Sequence, residues 1–134
     1  MEKELILEAK EQATSVNIKD FSPEGARFDI TLSGKVNGKV SGIIMTTHNV
    51  LAKPDGSGDV DFKSMIFSEG EPIFVWGKAT AKMVDPAPTE QIMESWTFQT
   101  PSKKLAYLNT TKGSAEAQFN LATGEYHVKV YAAK

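Results

Sequence analysis

Glycine stands at every fourth position across residues 33–42, at Gly34, Gly38 and Gly42, with Val36 and Val40 between them. The stretch opens the longest strand-like segment of the chain, residues 36–51. Residues two and four apart on a strand share a face, so this spacing predicts one face that alternates glycine with valine. Glycine inside a strand marks a bend, a bulge or a second backbone packed close. A sheet punctuated in this way coils, and the feature predicts a small barrel.

The rest of the chain reads the same way. Residues 3–13 fit a helical stripe (Leu5, Ile6, Ala9, Ala13) or a strand face (Leu5, Leu7, Ala9); the β character of everything after them favours strand. Residues 20–25 hold Pro23 and Gly25 and predict a turn. Phe28, Ile30 and Leu32 then alternate with Arg27, Asp29 and Thr31. Asn37-Gly38 is a hairpin signal that competes with a simple bend of one long strand. Val60, Phe62 and Ile66 share a face with Ser64, and Ile73, Val75, Gly77, Ala79 and Ala81 form a face tapering from bulky to small. Ile92, Glu94, Trp96 and Phe98 alternate with Met93, Ser95, Thr97 and Gln99. Leu105, Tyr107 and Asn109 read as one face of a late strand, and Tyr126, Val128 and Val130 as one face of the last. Turn chemistry marks residues 53–58, 68–72, 85–88 and 122–124. The pattern predicts an all-β, antiparallel barrel of about eight strands, a single domain over residues 1–134.

Composition narrows the function classes. Cysteine is absent, which removes disulfides, thiolate chemistry and cysteine-based zinc sites. Net charge is −2 with the lysines scattered, so no basic stripe offers itself to nucleic acid. No apolar run approaches the ~20 residues that span a bilayer, and the acidic start Met-Glu-Lys-Glu is unlike a signal peptide. These features predict a cytoplasmic protein with no membrane or nucleic-acid partner. His48 and His127 fall on different faces of distant strands, and no histidine or carboxylate cluster has ligand spacing, so no metal and no cofactor is expected.

The order of features resembles a family of small, mostly uncharacterised bacterial proteins with the calycin-like barrel of allene oxide cyclase. Five features carry the resemblance: the glycine-punctuated residues 34–42, the Asp-Gly-Ser-Gly turn at 55–58, Trp-Thr-Phe at 96–98, the leucine-rich 105–113 ending in Lys-Gly, and Gly-Glu-Tyr-His-Val at 124–128. The resemblance covers about residues 26–131. Family members carry an acid in the strand after the Asp-Gly turn, where this chain has Ser64. The resemblance implies an eight-stranded barrel with a small cavity, and oligomers, but no agreed activity.

An eight-stranded barrel is just wide enough to be filled by side chains or to hold one small ligand. Phe62, Trp96, Phe98 and Tyr107 would wall such a cavity, and Glu94, His48 and Asn109 would be its polar anchors. Glu94 beside two aromatics would be a carboxylate pushed towards its protonated form, or else sits at the barrel mouth in water or beside a lysine. His48 among apolar neighbours is a proton shuttle, a ligand contact or a hydrogen-bonded residue of the barrel end. The leading expectation is a protein that binds a small, largely apolar ligand in its interior. A cyclase or isomerase using the same cavity is the alternative, and a filled structural module that forms oligomers the third. Ile43, Met45, Phe74 and Trp76 lie opposite the predicted interior and predict a homodimer or trimer.

Overall fold

The computed structural model describes residues 3–83 and 89–133, with backbone only at positions 83, 94 and 133. Eight antiparallel strands close into a barrel in sequence order. They are β1 (Lys3–Ser22), β2 (Gly25–Gly38), β3 (Gly42–Ala52), β4 (Ser57–Ser68), β5 (Glu71–Met83), β6 (Thr89–Gln99), β7 (Lys112–Phe119) and β8 (Glu125–Ala133). Residues 3–13 are strand, as their surroundings required. The turns fall where the Pro, Gly and Asp residues put them, at Pro23-Glu24, residues 54–56, Glu69-Gly70 and residues 121–123. The 85–88 turn lies outside the described residues.

The alternation fills the interior as expected on β4 and β5. Val60, Phe62, Ser64 and Ile66 point inward, as do Ile73, Val75 and Ala79. Two expectations are corrected. The segment 36–51 is not one strand: the chain reverses between Gly38 and Gly42, just past the Asn-Gly pair, with Gly38 at φ +131°. Residues 105–113 do not begin as a strand. Ala106–Thr110 is a single-turn 3-10 helix that buries Leu108. Leu105 and Leu108 are three residues apart, the repeat of a 3-10 helix, and both join the core. Lying in the β6–β7 connection, they plug that end of the barrel.

At the opposite end the described residues leave a recess, and β1 outruns its neighbour. It pairs with β8 only as far as Gln12, whereas its pairing with β2 continues to Ser22. Two register shifts, between Ala13 and Ser15 and between Ile18 and Asp20, keep Val16, Ile18 and Phe21 opposite Ile30, Phe28 and Ala26. Directly opposed residues share a face, so these three side chains overhang the barrel mouth from its inner side. They are 56%, 60% and 72% exposed.

Candidate functional site

Below this lip the barrel holds a belt of buried polar groups. On β3, inward alternation delivers Ile44, Thr46 and His48; register with β4 sets Thr46 against Ser64 and His48 against Phe62. The Thr46 and Ser64 hydroxyls lie 2.7 Å apart and satisfy each other. Glu11 reaches the belt from β1, where it stands between Gly34 on β2 and Tyr126 on β8. A methyl at Gly34 would run into the Lys10 carbonyl oxygen and lie 2.7 Å from the Glu11 Cα. The missing side chain therefore lets β1 close against β2, and the Glu11 carboxyl group reaches Thr46, one strand further on.

Burial governs the charge state of this belt. It pushes the Glu11 carboxyl up to about 7, against the Thr46 hydroxyl, which favours the anion. One carboxyl oxygen of Glu11 and the Trp96 indole nitrogen are buried without a partner among the described residues. Burial lowers His48 to about 4, so its ring is neutral at pH 7. Burial, and then the charge of Glu11, raises the Tyr126 phenol well above its ordinary value. Tyr126 donates towards the Gln91 side-chain oxygen at 3.5 Å, and its ring meets the His48 ring edge-on at 5.1 Å. Phe62 stacks at 4.8 Å from Trp96, crossing Gly77, where a Cβ would come within 2.7 Å of its ring.

Gln91 connects the belt to the open end. It lines a recess of about 90 Å³ whose other walls include Phe28, Val50, Val60, Phe119 and Leu121. A wider groove of about 750 Å³ runs along the outer wall, but Lys19, Arg27, Asp29, Asp59, Asp61 and Lys78 give it charges of both signs.

Of the residues expected to form the site, His48, Phe62, Trp96 and Phe98 come together inside the barrel. Tyr107 and Asn109 do not. Tyr107 is exposed on the 3-10 helix, and Asn109 clamps the Thr100 backbone, accepting from its N–H at 2.7 Å and donating to its carbonyl at 3.0 Å. The Glu94 side chain lies outside what the structure describes. Around it the expected alternation of β6 is interrupted: a register shift between Met93 and Trp96 puts Met93 inside and leaves Ile92 59% exposed, so Ile92 does not share the face of Trp96 and Phe98. Ahead of that bulge the inward polar residue is Gln91. Glu11, Gln91 and Tyr126 were missed as polar site residues. Glu11 was findable, because Leu7, Ala9 and Ala13 share its parity. His127 faces outward, 3.3 Å from Glu8.

No family model matches the chain, and no curated protein matches it. Solved structures do. A protein with unknown function from Clostridium acetobutylicum superposes with a TM-score of 0.85 at 18% identity, covering 100% of both chains. A beta-barrel like protein from Acinetobacter baumannii gives 0.83 at 21% identity, covering 99% of this chain and 96% of its own. An enzyme from Penicillium herquei gives 0.70 at 20% identity, covering 97% and 93%. At these identities the likeness is one of fold.

Proposed function

We propose that the barrel binds a small, largely apolar molecule at its open end. The observation that carries this is the exposed inner face of Val16, Ile18 and Phe21, with Leu121, 49% exposed, across the same mouth. Covering such side chains is worth about 1.5–3 kcal/mol each, and water gives none of it. The recess of about 90 Å³ is well short of the roughly 300 Å³ of a complete ligand site, so a ligand would seat one end there and lie along the lip. Leu121→Asp tests the reading without touching the core. The variant is expected to bind a fluorescent apolar probe such as N-phenyl-1-naphthylamine about tenfold more weakly than wild type. Equal affinity would place the probe elsewhere.

Catalysis in the same barrel is the second reading, and Glu11 favours it. A carboxyl group held near 7 by burial suits proton transfer at neutral pH. One barrel of similar fold is described as an enzyme. This reading keeps the isomerase or cyclase chemistry anticipated from the sequence but moves the acid from Glu94 to Glu11. Membership of the allene oxide cyclase-like barrels belongs with it, supported by the closed eight-stranded architecture.

The outer wall supports self-association. Met45, Met65 and Phe74 stand in one row across β3, β4 and β5, with Ile43 and Trp76 beside them. Ile43, Met45, Phe74 and Trp76 are 53%, 46%, 39% and 41% exposed. Sedimentation at micromolar concentration is expected to give a dimer or trimer, and Trp76→Glu to give a monomer. A monomeric wild type would remove the idea.

A further inference from the structure

We infer that the molecule taken up at the open end is uncharged and carries one hydrogen-bonding head group, which the Gln91 amide receives. The inference rests on the ligand-binding reading and deepens it. Among the described residues that line the recess none is charged. An ionic head would lose its water there and gain no counter-charge, which disfavours its entry. Three side chains of the lining are polar: Ser57, Thr89 and Gln91. The Ser57 hydroxyl is already given to Asp55 at 2.6 Å. Thr89 is half-buried at the rim, whereas Gln91 is 4% exposed and lies deepest of the three.

A buried amide at the bottom of an apolar recess is a selective device. It offers both a donor and an acceptor, so it accepts an alcohol, a carbonyl or an ester alike. Its side-chain oxygen is approached from behind by the Tyr126 hydroxyl, which orients the amide. Behind Tyr126 stands Glu11, directly opposite it in the β1–β8 register, and any negative charge there opposes an anionic head group. The belt therefore discriminates by head group, while the lip of β1 holds the hydrocarbon with little regard to its shape.

Competition against N-phenyl-1-naphthylamine at pH 7.5 tests this, with 1-octanol, 1-chlorooctane, octanoate and octylamine as competitors. Octanol is expected to displace the probe at concentrations at least about tenfold below octanoate and octylamine. Gln91→Met keeps the side-chain length and removes the amide. It is expected to raise the octanol concentration needed about fivefold and leave that of chlorooctane unchanged. Tyr126→Phe leaves the amide in place without its anchor, and is expected to act in the same direction to a smaller extent, which keeps the test alive if Gln91→Met does not fold. Octanoate competing as well as octanol, or Gln91→Met shifting octanol and chlorooctane equally, overturns the inference while leaving apolar binding intact. Failure of the wild type to bind the probe at all overturns the ligand-binding reading and this inference with it.

Discussion

Gly34→Ala is expected to lower the melting temperature by ~10 °C, where Gly58→Ala changes it by no more than about 2 °C. Both glycines sit inside strands. At Gly58 an added methyl meets the Leu51 carbonyl oxygen at 3.4 Å and the Ala81 Cβ at 3.5 Å, ordinary contacts. At Gly34 it meets the backbone of Lys10 and Glu11, with two atoms at 2.7 Å and the Lys10 carbonyl oxygen closer still. A flexible side chain can swing away from such a clash, but a paired backbone cannot. Relief requires β1 to move off β2, and β1 is also the strand that joins β2 to β8 and closes the barrel. Overpacking of this kind costs about 1–3 kcal/mol, and the rigid neighbour puts Gly34 at the upper end. The same movement would carry Glu11 away from Thr46. Thermal unfolding followed by circular dichroism decides it: equal melting temperatures for the two variants would mean that the β1–β2 contact at Gly34 is loose.

The glycine spacing that announces the barrel thus has different causes along its length. Gly34 permits a close backbone approach and Gly38 a left-handed backbone at the strand end, two reasons that one period in the sequence cannot separate. Alternation was legible where strands run without interruption, as on β4 and β5. It misled at β6, because Ile92 and Met93 are both apolar, and a bulge that exchanges them leaves the hydrophobic pattern unchanged. Leu105, Tyr107 and Asn109 satisfied a strand pattern only while the i, i+3 pair Leu105 and Leu108 was overlooked. The candidate site was half legible. Phe62, Trp96, Phe98 and His48 announce themselves as bulky residues of inward parity. Glu11 has that parity too, with Leu7, Ala9 and Ala13, but as an acid between Lys10 and Gln12 it is easily read as solvated, and the register with Gly34 and Tyr126 shows where it points.

Glu11→Gln is expected to leave stability unchanged at pH 4 and to raise it by about 3 kcal/mol at pH 8. The folded carboxyl binds its proton up to about 7, the unfolded one only to about 4.5. Below the lower value both states are protonated and the group costs nothing. As pH rises between the two, the unfolded chain sheds its proton first and is favoured; above 7 the folded state carries a buried anion whose full penalty, roughly 2.5 pH units, is about 3 kcal/mol. Glutamine keeps the shape and never ionises. His48 acts in the opposite sense. Its folded value is lowered from 6.5 to about 4, so the unfolded chain takes up a proton first as pH falls, and stability is lost below 6.5 until the folded ring also protonates. In the wild type the two contributions run against each other across the same window and largely cancel. Removing Glu11 uncovers the histidine slope, so the variant's stability should rise with pH by about 3 kcal/mol relative to wild type between pH 4 and 8. Urea unfolding of both proteins at pH 4, 6 and 8 reads this difference directly, and every carboxylate they share drops out of it. Two parallel curves would show that Glu11 meets water or a cation in solution, and would end its candidacy as the acid of the barrel.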